Sequence, residues 1–185
     1  MKLKTEILKE KNMESKYSVS NHFGVYGVAV VNGKILCINN NAGPYKNRYD
    51  VPGGSQESWE GLTETLSREF LEETGYTIKT YSNPRVYDSF VRETTSFDVV
   101  HHIMVFYDVE LDNSFEKQDL PIDLLDGLND SDGIVWVDFD NISEENSSPL
   151  LLKLKKEYKG RFELDKSQFL NWKVIETDRG IRHIK

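Results

Sequence analysis

The sequence predicts a mixed α/β fold, and three observations carry that prediction. Apolar segments of strand length, rich in Val, Ile and Tyr, recur on both sides of one stretch of helical period, Glu60 to Thr74. Turn signals built on Gly, Pro and Asn separate these segments. No internal repeat and no Pro/Gly-rich linker divides the 185 residues, a length at which roughly 70 % of the unfolded surface can be buried around one core. We therefore expect residues 1–20 to form a tail or a short surface helix and residues 21–185 to form one domain.

Taken in order, His22 to Val31 reads as the first strand. Asn32-Gly33 supplies a two-residue hairpin signal, because both central positions of a type I′ turn need φ > 0. Lys34 to Ile38 is the returning strand, with Cys37 as a small buried filler. Asn39 to Asn47 is polar, contains Gly43-Pro44 and reads as a loop. The short extended piece Tyr49-Asp50-Val51 then enters a turn at Pro52-Gly53-Gly54. Gly75 is placed to end the helix. Strands are expected at Tyr76–Tyr81, Arg85–Arg92 and Asp98–Val109, and after the acidic connection Glu110 to Asp132, at Gly133–Phe139. Ser148 caps a second helix, opened by Pro149 and running to Tyr158. Phe162 to Lys185 has apolar spots without a period, and no element is assigned there.

Composition narrows the function classes. With 38 % apolar and 29 % charged residues the chain matches ordinary globular proteins, which excludes collagen, low-complexity disorder and a disulfide scaffold. The balance of 23 basic against 31 acidic residues, a net −8, argues against a nucleic-acid groove. A single cysteine excludes an internal disulfide and a cysteine-based zinc site, and suits a reducing cytoplasm. No stretch approaches the ~20 apolar residues of a membrane span. The Lys-rich start has no apolar run behind it, so no signal peptide is expected and the setting is cytoplasmic.

The chemistry is concentrated between Gly54 and Tyr76. Glu69, Glu72 and Glu73 stand at i, i+3 and i+4, so a helix brings three carboxylates to one side. Leu62, Leu66 and Phe70 fall in the same half-circle, whereas a merely solvated acidic face should lie opposite the apolar stripe. Partly buried carboxylates repel one another unless a cation neutralises them. Oxygen-only ligands suit Mg²⁺ or Mn²⁺, and Mg²⁺ commonly shares its shell with substrate phosphates. Gly53-Gly54 just upstream would let backbone approach a ligand or metal closely, although a plain tight turn explains the pair taken alone.

Gly54, Glu60, Arg68, Glu69, Glu72, Glu73 and Gly75 fill all seven fixed positions of the pattern G-x5-E-x7-R-E-U-x-E-E-x-G-U. The segment thus resembles the Nudix box, and seven chance matches are on the order of 10⁻⁸ per window. Phe70 and Tyr76 occupy the two U positions, where aliphatic residues are usual. Pro52-Gly53-Gly54 behind the aromatic Tyr49, and Trp136 on a late strand, also look like the family. The resemblance implies an α/β/α sandwich with a mixed β-sheet. It implies Mg²⁺- or Mn²⁺-dependent hydrolysis of a small-molecule substrate, a nucleoside diphosphate linked to a group X. Glu69, Glu72 and Glu73 would be catalytic metal ligands, joined by the carbonyl of Gly53. Arg68 would hold the glutamates by a salt bridge, and Gly54, Glu60 and Gly75 would support the loop and helix. A homodimer is compatible with this expectation; a non-catalytic nucleotide sensor and an isoprenoid diphosphate isomerase are the rivals.

Outside the box, Arg48 and Tyr49 are candidates for substrate contact, and Arg92 could also meet phosphate oxygens. Tyr26, Tyr45, Phe90 and Phe106 could stack on a base, though each is first a core candidate. His101 and His102, being adjacent in a strand, must point to opposite faces. Asp130 and Asp132 in the late acidic stretch are candidates for the general base, with Asp132 carried as catalytic and Glu57 and Glu60 as competitors.

Overall fold

The protein is described here from a computed structural model covering residues 17–112, 131–160 and 167–176. Most of the expected N-terminal tail (1–16), most of the acidic connection (113–130), and residues 161–166 and 177–185 of the C-terminal stretch lie outside the described residues. Nine strands, two α-helices and a 3₁₀ turn (Phe139–Asn141) are described: β1 (Ser18–Val28), β2 (Val30–Val31), β3 (Lys34–Asn40), β4 (Tyr49–Asp50), β5 (Gly53–Ser55), α1 (Leu62–Thr74), β6 (Ile78–Glu93), β7 (Asp98–Leu111), β8 (Ser131–Asp138), α2 (Pro149–Tyr158) and β9 (Ser167–Trp172).

The strands form two sheets. One has the order β5-β1-β7-β6-β9 and is mixed: β1 with β7 and β6 with β9 run parallel, and the other neighbours antiparallel. In the other sheet β3 is central, pairing antiparallel with β2, β4 and β8. Strand alternation then splits neighbouring residues between two cores. Val25, Leu36 and Val105 pack with Leu66 and Phe70 of α1. Tyr26, Ile35 and Phe106, each one residue away, pack with Leu150, Leu151 and Leu154 of α2. Helix, sheets and helix are thus layered in the predicted α/β/α order. Gly27 allows α1 to sit this close, since a Cβ there would stand 2.5 Å from the Phe70 ring.

Local signals explain most elements. The β2–β3 turn has Asn32 at φ 51 and Gly33 at φ 76, the type I′ arrangement, with Val31 paired to Lys34. Gly75 closes α1 at φ 72, and its N–H donates to the Leu71 carbonyl. Ser148 caps α2 by accepting the Leu151 N–H, with Pro149 opening the helix.

Several boundaries differ from expectation. β1 already begins at Ser18, inside the stretch expected as a tail or short helix, because Ser18–Ser20 pair with Asp98–Val100 of β7. The first strand does not run unbroken to Val31, because at Ala29 the chain passes from one sheet to the other. The helix begins at Leu62, where Glu64 Oε2 accepts the Gly61 N–H at 2.6 Å, so Glu60 belongs to the loop. The break expected at Asn83-Pro84 is a bulge inside the long strand β6: Asn83 takes φ 52 and pairing with β7 shifts between Ser82 and Arg85. Ser167–Trp172, given no element from sequence, is an added strand on β6 whose register shifts near Glu93.

Candidate active site

The P-G-G segment runs into β5, and β5 pairs with β1 and is tied to the C-terminal half of α1. That junction builds a cleft of about 690 Å³, lined on one side by Gly53, Gly54, Glu57, Arg68, Glu69, Glu72 and Glu73. His22, Tyr26, Tyr45, Asp50 and His102 line the rest of it. The three box glutamates, spaced for one helix side, share this wall with the two glycines.

Gly53 stands at φ +142, and a Cβ there would lie 2.2 Å from the Val25 carbonyl oxygen. Gly54 is different. Its φ is ordinary, but a Cβ would lie 2.5 Å from Glu69 Oε2, so its role is to admit that carboxylate. Of the two glycines, only Gly53 adopts a backbone that favours glycine. Glu73 Oε2 accepts the Gly53 N–H at 2.8 Å, tying the end of α1 to the turn.

Arg68 organises the carboxylates. Its Nε donates to Glu60 Oε1 at 2.6 Å, and Nη1 donates to Glu69 at 2.9 Å and Glu72 at 3.1 Å. Nη2 reaches Glu60 Oε2 and the Ser55 carbonyl, both at 3.0 Å. The planar fork suits such multiple contacts better than a lysine would. Hydrogen bonds from Arg68 hold the Glu60 carboxyl down to about 2, while burial pushes Glu69 up. Glu60 also accepts from the Glu57 N–H and the Thr65 hydroxyl, which fastens the loop to the helix.

Among the described lining residues, five carboxylates (Asp50, Glu57, Glu69, Glu72, Glu73) face one cation, Arg68, already engaged by three glutamates. Among the described residues no three His, Cys, Asp or Glu side chains are gathered as metal ligands; Arg68 engages Glu69 and Glu72, and the Gly53 N–H engages Glu73. The donor set is nonetheless oxygen only and surplus in negative charge, which fits a hard divalent ion.

Other candidates fall elsewhere. Arg48, expected at the substrate, is 4 % exposed and turned inward. Its Nη2 donates to the Lys173 carbonyl at 2.8 Å and its guanidinium lies 4.2 Å over the Trp172 ring, because a buried guanidinium needs such partners. Tyr49 packs against the α2-side core rather than lining the cleft; its strand neighbour Asp50 points the other way. Arg92 donates to the Glu93 and Ser96 carbonyls, away from the cleft. Asp132 lies in β8, but its side chain, like all of Asp130, is outside the described structure. His101 pairs with Asp88 at 2.8 Å on one face of β7, and His102 is buried on the other.

Asp50 was not singled out from sequence, although an acid between Tyr49 and Val51 in an extended piece is itself a signal. It accepts from the Ser148 hydroxyl, the Val51 N–H at 2.8 Å and Asn40 Nδ2 at 2.9 Å. Burial outweighs these donors and pushes its carboxyl up to about 6. The folded state therefore holds this proton more tightly than the unfolded chain. That contribution is complete below about pH 4 and lost as pH rises through 6. Asp50→Asn should lack this dependence: between pH 4 and 7 its urea-unfolding stability should gain about 2 kcal/mol relative to wild type. Parallel pH curves for the two proteins would show that Asp50 titrates normally.

Comparison with known proteins agrees with this geometry. The NUDIX domain family matches residues 21–158, and the chain belongs to that family. An ADP-ribose pyrophosphatase from Methanocaldococcus jannaschii is 35 % identical over 86 residues, 45 % of this chain; the match spans half of that relative's length. Among solved structures, a MutT NUDIX hydrolase from Burkholderia pseudomallei superposes with a TM-score of 0.57 at 18 % identity, covering 75 % of this chain and 97 % of that one. A NUDIX hydrolase from Nitrosomonas europaea gives 0.53 at 17 % identity over 77 % and 91 %. At these identities the superpositions speak to the fold.

Proposed function

We propose that the protein is a Mg²⁺- or Mn²⁺-dependent hydrolase that cleaves the diphosphate linkage of a nucleoside diphosphate bonded to a group X. The observation that carries the proposal is the cleft wall on which the complete box places Glu69, Glu72 and Glu73 beside the Gly53-Gly54 turn, with Arg68 as its sole described cation. A diphosphate brought to that wall would be repelled unless positive charge came with it. Glu69, Glu72 and Glu73, with the Gly53 carbonyl, are the groups that would hold the ion. Once bound, it would supply charge neutralisation and a polarised water.

Within the chain, Arg68 fixes Glu69 and Glu72, and the Gly53 N–H fixes Glu73. A carboxylate must take the proton from the attacking water. Glu60 is poorly suited, because its bonds to Arg68 hold it down to about 2. Glu57 and Glu69 on the cleft wall and Asp132 on β8 are the candidates. The isomerase alternative needs a reactive cysteine, whereas Cys37 is fully buried and burial pushes its thiol well up.

The relative named as an ADP-ribose pyrophosphatase makes ADP-ribose the first compound to try. We place the enzyme in the cytoplasm on its single cysteine. A screen over nucleoside triphosphates, ADP-ribose and other nucleotide conjugates, read by ³¹P NMR for the monophosphate or pyrophosphate products, should find at least one compound cleaved with Mg²⁺ or Mn²⁺ and none cleaved in EDTA. Silence across the panel with both metals would overturn the proposal.

A further inference from the structure

The cleft wall away from the glutamates has a different chemistry. The β1–β7 register pairs His22 with His102, and the β6–β7 register pairs Ser89 with His102. Register partners share a face, so three polar side chains cross the sheet in one row among apolar neighbours. The His22 and His102 rings lie 4.9 Å apart, and the Tyr45 hydroxyl lies 3.1 Å from His102 Nε2. Tyr45 is braced edge-on by Trp172, whose Nε1 donates to the Pro44 carbonyl at 2.8 Å.

The row is incomplete. His102 is 7 % exposed, and its Nδ1 and the Ser89 Oγ are enclosed without a hydrogen-bond partner among the described residues. Buried polar groups left unmet cost stability and recur where a ligand completes them. Burial also keeps His102 neutral, down to about 4, and lowers His22. This end of the cleft therefore has hydrogen bonds and aromatic faces to offer, and no charge for a phosphate.

We propose that His22, Tyr45 and His102 form the subsite for the uncharged ring portion of the substrate, the base or the ribose of its nucleoside. This rests on the hydrolase proposal, since it is that reaction which brings a nucleoside to the cleft. The half-buried His22 ring presents a face for stacking, and beside it Tyr45 and His102 line the cleft as a hydrogen-bonded pair. The cleft then sorts its substrate by charge: diphosphate toward the glutamates, uncharged ring toward the histidines. A volume of about 690 Å³ is in the range of small-molecule sites.

The test uses the full chain in EDTA with adenosine or ribose as the probe and histidine side-chain NMR signals as the readout. At least one probe should shift the His22 and His102 signals saturably, and saturation-transfer contacts to base or ribose protons then say which ring sits there. Tyr45→Phe, which removes one hydroxyl, and His22→Ala, at a half-exposed position, should each weaken that binding at least fivefold. Unshifted histidines with both probes, or equal binding by both variants, would overturn the subsite. No metal or diphosphate is present, so this failure is distinct from failure of hydrolysis: an enzyme lacking the subsite would still cleave its substrate.

Discussion

Exchanging Glu73 for glutamine should lower kcat by at least about 10²-fold, the scale of losing one group that stabilises developing charge, and should leave the fold intact. The fold survives because glutamine retains a carbonyl oxygen for the Gly53 N–H, which Glu73 now accepts at 2.8 Å. The chemistry does not, because a neutral amide is a far weaker ligand for a hard cation than a carboxylate. Removing one of the crowded negative charges of α1 also relieves repulsion with Glu69 and Glu72, so the metal-free variant should melt no lower than wild type. Turnover at saturating Mg²⁺, measured beside a thermal melt, decides the matter. A folded variant with near-normal kcat would remove Glu73 from the metal site.

The second large effect is structural. Gly53→Ala should cost about 3 kcal/mol or more, because it adds a strained backbone to a collision with main chain. At φ +142 an alanine Cβ would meet the Val25 oxygen at 2.2 Å and the Tyr26 Cα at 2.6 Å, and neither can swing aside. Activity should fall with stability, since displacing the turn displaces the N–H that anchors Glu73. Gly54→Ala is the control: its Cβ meets only the end of the Glu69 side chain, which can move, so stability should fall much less. Urea unfolding of both variants measures the contrast. Equal losses, or a Gly53→Ala variant as stable as wild type, would mean that the turn is not held as described.

Much of the site was legible because a helix converts spacing into direction. Glu69, Glu72 and Glu73 had to share a side, and Gly75 had to stop the helix, whatever the tertiary context. The Asn32-Gly33 hairpin and the Ser148 cap were readable for the same reason: the signal and the structure lie within four residues. What escaped depends on distant partners. Ser167–Trp172 becomes a strand only by pairing with β6, whose partner residues, such as Ser89 for Ser167, lie far earlier in the chain. Arg48 looked like a phosphate ligand because nothing local reveals the Trp172 ring and Lys173 carbonyl that draw it inward. Asp50 and His102 enter the cleft through strand alternation combined with sheet order, and the order is not written in any one segment.

The central claim, that this glutamate-lined cleft cleaves a diphosphate linkage with a divalent ion, is most directly tested by ³¹P NMR of ADP-ribose incubated with the protein in ¹⁸O-labelled water. With Mg²⁺ or Mn²⁺ added, the diphosphate signals should give way to two monophosphates, one carrying the label. EDTA should stop the reaction and Glu73→Gln should slow it. If ADP-ribose and the other nucleotide diphosphates of the screen keep their diphosphate signals with either metal, or if cleavage continues undiminished in EDTA, the account is contradicted.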